Sequence, residues 1–290
     1  MPQVATFSIV AFDPEGPSWG VAVASKFPAV GAVVPWAAAG AGAVATQSFA
    51  NTSFGPRGLH LMASGKSAAE TLETLLGDDA GREQRQVGLV DAQGAAATFT
   101  GKDCYAWAGG KTGPHYSVQG NILQGPEVIE ALADGFTRTA ADFPGRLLAA
   151  LLAADRAGGD RRGRQSAALY VARAGAGYGG FNDVWLDYRV DDHPDPVLRL
   201  GELLELHRLY FSKSASEEEV PVSGGVAREL QVMMNRLGYY EGGLTGEYDG
   251  ATREAFRRFI GNENFEDRTN FEAGRIDMPV LEFLRHKFAG

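Results

Sequence analysis

The side chains able to carry acyl-transfer chemistry fall at the ends of strand-like segments. Thr6 lies in VATFSIVAF, where Val4, Thr6, Ser8 and Val10 alternate against Ala5, Phe7, Ile9 and Ala11. This is the two-residue period of a strand, and Asp13 to Gly16 supply the turn that closes it. A threonine here has two readings. It is a β-branched residue suited to a strand, or it is a hydroxyl nucleophile that becomes a chain terminus and uses its own α-amine as base. Ser8 shares its face, and Ser25 ends the next strand pattern, SWGVAVASK. Both offer hydrogen bonds near Thr6, although strand serines also satisfy local backbone. Asn121 ends the extended stretch YSVQGN. There it can point a side-chain N–H and a backbone N–H at a developing oxyanion, or it can stabilise a turn. Asn51, in the loop after Thr46 and Gln47, is a second residue of that kind.

Binding groups form a wider set. Arg161, Arg162 and Arg164 open a strand in RRGRQS. Their guanidinium groups either clamp a substrate carboxylate or form a solvated loop facing Asp155 and Asp160. Arg164, Asn51 and His115 are the candidate substrate contacts. DDHPDP (191–196) around His193 has metal-like composition, but its acids fall on a strand end and a helix cap, where aspartates are expected anyway. No metal and no cofactor is expected. Cys104 acts as a nucleophile only beside a histidine and otherwise serves as a small buried thiol. GAGYGG (175–180) lacks the strand-to-helix setting of a dinucleotide loop.

Bulk properties exclude several partner classes. The 290 residues carry a formal net charge of -9, so no basic face neutralises a run of phosphates and nucleic acid is not an expected partner. No signal-peptide pattern and no apolar run of spanning length occurs, so no membrane association is expected and the location is read as cytoplasmic. The single cysteine agrees with a reducing compartment and excludes an intrachain disulfide.

These residues must be positioned by strands and helix pairs in alternating blocks. Strands are expected over the first two stretches, around Val30–Trp36 and Ala41–Gln47, in the hairpin pattern 84–100, at 116–123, 165–174 and 184–192. Helices are expected between Gly55 and Leu76, with Ser67 and Glu70 as a capping box, after Pro126, after Asp142, and from Pro196 to about Phe211. No regular βαβ alternation appears, which favours antiparallel sheets with helices outside them: an α+β, four-layer αββα sandwich. SKSASEEEVPVSGG (212–225) has almost nothing to bury and reads as a linker. Domain boundaries of 1–211 and 226–290 follow, the second a small all-α unit of three helices.

The stretches TFSIVAFDPEGPSWGVAVASKFPAVG, GAGAVATQSFAN, FGPRGL, GREQRQVGLVD, TGPHYSVQGNIL and DRRGRQSAALYV closely resemble a bacterial family labelled domain of unknown function 1028. The resemblance covers roughly residues 4–211 and implies a fold similar to the N-terminal nucleophile (Ntn) hydrolases. It implies cleavage between Ala5 and Thr6, attack by Thr6 on an amide carbonyl with its α-amine as base, and a role for Lys26 in tuning that amine. An exposed strand-end lysine is the other reading of Lys26. ELQVMMNRLGYYEGGLTGEYDGATREAFRRF resembles a peptidoglycan-binding-type helical domain. The implied substrate is a small amide, cyclic amide or short peptide. The alternative is a non-catalytic protein that recognises cell-wall-derived fragments such as muropeptides, or assembles into a homo-oligomer through its tail.

Overall fold

A computed structural model describes residues 6–212 and 218–288. The Ala5 side of the expected cleavage site therefore lies outside the described residues. Two compact units divide the chain, Met1–Leu204 and Glu205–Gly290.

The first unit contains two antiparallel sheets. One has six strands: β1 (Thr6–Asp13), β2 (Ser18–Ser25), β7 (Gly109–Gly113), β8 (Tyr116–Asn121), β9 (Ser166–Arg173) and β10 (Val184–Val190), in the order β10-β9-β2-β1-β8-β7. The other has four, β3 (Pro35–Ala38), β4 (Gly42–Ser48), β5 (Arg85–Asp91) and β6 (Ala96–Thr100), paired in sequence order. The period-2 pattern divides each central strand between two cores. Phe7, Ile9 and Ala11 pack against Leu132, Phe136, Leu147 and Leu151 of α3 (Glu127–Arg138) and α4 (Phe143–Arg156). On the opposite face, Val10, Phe12, Val21 and Val23 meet Ala43, Ala45 and Val90 of the second sheet. Val44, Val87 and Leu89 then face Phe54, Met62, Leu72 and Leu75 of α1 (Phe54–Ala63) and α2 (Ala68–Gly77). The layers run helix, sheet, sheet, helix, and each fully buried leucine or phenylalanine contributes about 1.5–3 kcal/mol.

Local signals set the helix starts. Ser67 and Glu70 exchange both bonds of a capping box, and Asp142 accepts from the Gly145 N–H. Two strand assignments differ from expectation. Val30–Ala32 is a 3-10 turn ahead of β3, and GGKTG (109–113), too glycine-rich to show a pattern, is β7.

Helix α5 (Pro196–Phe211) spans the division: Val197, Leu200 and Leu204 are buried with the first core, Leu209 and Tyr210 pack on the second. The second unit has the three expected helices, α6 (Gly224–Arg236), α7 (Gly250–Asn262) and α8 (Met278–Lys287). It is not all-α. Strands β11 (Glu219–Pro221), β12 (Thr269–Asn270) and β13 (Arg275–Asp277) form a small sheet in the order β11-β13-β12. Part of the stretch read as linker is thus a strand, and Val222 beside it is buried, while 213–217 lie outside the described residues. No helix among the described residues is long and apolar enough to cross a membrane.

Candidate functional site

The space between the sheets changes character along its length. Toward Phe12 and Trp19 it is apolar, and toward Thr6 it is polar. Register produces this. Thr6 is paired with Asn121 on one side and Ser25 on the other, and Ser25 is paired with Ser166. Four polar residues therefore form one row across β8, β1, β2 and β9, at the end where β1 begins. Thr6 donates from Oγ1 to Ser25 Oγ at 3.4 Å. Ser166 turns away, donating to the Phe27 carbonyl and accepting from the Val30 N–H at 3.1 Å.

Three glutamines tie this row to the second sheet. Ser8 Oγ donates to Gln47 Oε1 and accepts from Gln119 Nε2, both at 2.7 Å. Gln47 Nε2 donates to Gln86 Oε1 at 2.9 Å and to the Thr6 carbonyl at 3.4 Å. Asn121 Nδ2 donates to Gln86 Oε1 at 2.9 Å. Thr6, Ser8, Gln47, Gln86, Gln119 and Asn121 are all fully buried, and none of them is titratable near neutrality. Buried polar groups are stable only when paired, so these bonds hold the end of the sandwich together.

The remaining expected site residues are distributed elsewhere. Lys26 follows the row and is exposed; its backbone N–H donates to Asp160 Oδ2 at 2.8 Å. Asn51 belongs to a different cluster, donating to Asp79 Oδ2 at 3.1 Å and accepting from the Ser53 hydroxyl at 2.7 Å. Arg85 lies on the same Asp79 carboxylate and holds it well below the usual range, at about 2. Arg164 is spent on Asp155 and Asp195, at 2.8 and 2.9 Å. His115 sits at the opposite end of β8, six residues from Asn121 and roughly 20 Å along the strand direction, edge-on to Phe12. One of the two side-chain N–H groups of Asn121, expected to face an oxyanion, is donated to Gln86. The structure thus brings together Thr6, Ser8, Ser25 and Asn121, and leaves Lys26, Asn51, Arg164 and His115 outside their hydrogen-bond network.

His193 accepts the Asp195 N–H on Nδ1, a local cap. Among the described residues no group of three or more His, Cys, Asp or Glu side chains is placed to hold a metal. Cys104 is half-buried against the Arg85 carbonyl, and burial pushes its thiol up, away from the reactive thiolate.

Sequence reasoning missed Gln47, Gln86 and Gln119; Asp160 it named as facing the arginine loop, which it does, but not as the acceptor of Lys26 N–H. Gln47 and Gln86 had a signal, standing in phase with Ala43 and Ala45 and with Val90, whereas Gln119 alternates against Tyr116 and Val118 of its strand. Asp160, its side chain 1% exposed, receives Lys26 N–H and the Arg162 guanidinium, so the loop after α4 is tied to the exit of β2.

A family model described as a family of unknown function, DUF1028, matches residues 6–200, opening on Thr6. The chain belongs to the DUF1028 family. A DUF1028 protein from Silicibacter pomeroyi, known from its crystal structure, is 30% identical with a TM-score of 0.65, over 78% of this chain and 89% of that one. A second model, described as "Putative peptidoglycan binding domain", matches residues 210–284, so the DUF1028 domain is followed by a domain of that type. Comparison with curated proteins returned no match.

Proposed function

We propose that the DUF1028 domain is an amidohydrolase acting on a small amide, cyclic amide or short peptide, with Thr6 as a terminal nucleophile of the Ntn type. The observation that carries this reading is the place of Thr6. It is the first residue of a central strand, between Ser25 and Asn121, in a buried network whose named members include no histidine, carboxylate or ammonium. In this reading the base for its hydroxyl is the α-amine of Thr6 itself.

Hydrolysis of the Ala5–Thr6 bond consumes one water, gives residues 1–5 a carboxylate and leaves Thr6 a free α-amine. Such an amine ordinarily titrates near 7.7–8.0. It takes the Oγ1 proton as the oxygen attacks the substrate carbonyl carbon. The C–N bond then breaks as that proton passes to the leaving nitrogen, and water cleaves the resulting Thr6 ester. Ser25 Oγ, 3.4 Å from Thr6 Oγ1, orients the hydroxyl.

Intact-mass measurement together with turnover of small amides tests the proposal. Residues 1–5 should be absent from the wild-type protein and present in Thr6→Ala, which should also lose turnover. Retention of Met1 in wild type sinks it.

A second reading concerns the tail. The match over 210–284 supports recognition of wall-derived fragments by the second unit. Titration calorimetry of the full chain with muropeptides tests it, and absence of heat removes it.

A further inference from the structure

Asn121 is fully buried and its side-chain carbonyl Oδ1 has no hydrogen-bond partner. Its orientation is not a free choice between oxygen and nitrogen. Gln86 Nε2 donates to the Gly120 carbonyl at 2.7 Å and to the Gly109 carbonyl at 3.2 Å, and two carbonyls can only be met by N–H groups. Gln86 must therefore present its own oxygen to Asn121. That oxygen accepts, so Asn121 must offer Nδ2 there at 2.9 Å. Besides the second Nδ2 hydrogen, what remains is Oδ1, an acceptor left buried without a donor, a state costly enough to call for an explanation.

We infer that Asn121 Oδ1 is the acceptor that holds the released α-amine of Thr6. This rests on the hydrolase reading above. The two residues are register partners on β1 and β8, with side chains on one face and Cβ atoms about 4.5–5.5 Å apart. While Ala5 is attached, the Thr6 nitrogen is a planar amide with a single hydrogen. Hydrolysis gives it two hydrogens, or three when protonated, and frees it to rotate. The missing donor is created by the cleavage itself.

Thr6 meets the uncharged Ser25 on β2, Asn121 on β8 and Gln47 on β4, and Gln86 on β5 stands against Asn121. Lys26 follows Ser25 in the chain, and its backbone N–H is taken by the carboxylate of the Asp160–Arg162 pair. In that setting a carbonyl dipole on the amine favours its protonated form. Asn121 is thus a positioning residue for the base, setting where the amine points and the pH at which it loses its proton. An oxyanion donor would do neither.

Asn121→Asp and Asn121→Leu separate the roles. Intact mass first establishes that each chain begins at Thr6, and pH-dependent labelling of the Thr6 terminal peptide then reports the amine. The amine should titrate about one unit higher in Asn121→Asp and about half a unit lower in Asn121→Leu. Because either variant can misfold, wild-type protein with ¹³C-labelled asparagine supplies a second measurement. The Asn121 Cγ resonance should move with the amine titration. A resonance indifferent to pH, or variants titrating like wild type on processed chains, overturns this inference and leaves the hydrolase reading standing. Retention of Met1 in wild type removes both.

Discussion

Gln119 lies directly over Gly88 across the gap between the sheets. A Cβ built on Gly88 would stand 2.0 Å from Gln119 Oε1. That oxygen also accepts from Ser117 Oγ at 2.7 Å, while the amide nitrogen is bound to Ser8 Oγ, so the side chain cannot step aside without breaking bonds. Gly88→Ala should destabilise the first unit by about 1–3 kcal/mol, the usual range for overpacking. Gly77→Ala, at the end of α2 with nothing near its Cβ, should be neutral or slightly stabilising. Urea denaturation of both variants checks the contrast.

Replacing Thr6 by serine or valine tests what the hydroxyl does. Serine keeps the oxygen and should retain partial turnover and cleavage. Valine keeps the β-branched shape that suits a strand and should lose both while unfolding at a similar urea concentration. Turnover by Thr6→Val would return Thr6 to a purely structural role.

The Asp79 carboxylate gives a pH-dependent contribution of known sign. It accepts from Arg85 at 2.8 Å, from Asn51 at 3.1 Å and from the Gly81 N–H at 2.8 Å, and its pKa is lowered to about 2. A folded value below the unfolded one stabilises the fold above the unfolded pKa, and the contribution disappears as pH falls toward the folded value. With the Asp79 side chain only 10% exposed, Asp79→Asn should lose about 2 kcal/mol at neutral pH. The gap to wild type should close between the ordinary aspartate value of about 3.9 and about 2. Chemical denaturation across that window measures it.

Arg268 and Asp277 form a buried ion pair in the second unit, 4% and 7% exposed. Arg268 also donates to the carbonyls of Arg208 and Leu209, at 3.0 and 2.5 Å, which ties the end of α5 to this pair. Asp277→Ala strands a buried guanidinium and should cost about 3–5 kcal/mol. Replacing both partners with Met and Leu should cost less than the single change. Calorimetry of the full chain, following the second unit's transition, decides between them.

What could be read from the chain alone was what is encoded locally. The alternation around Thr6, the caps at Ser67 and Asp142, and the order of strand blocks and helix pairs all depend on neighbours a few residues away, and the fold class followed from them. The hydroxyl-rich face of β1 was legible for the same reason. Which side chains meet that face was not legible, because strand register and the gap between two sheets are set by packing between segments far apart in sequence. Only tertiary structure put Gln86 against Asn121, 35 residues apart, and so committed an N–H that looked available for an oxyanion. It likewise decided between the readings open for Arg164 and Lys26, spending the first on Asp155 and Asp195 and exposing the second. Each is a long-range consequence of burying two apolar faces per sheet, and no local pattern carries it.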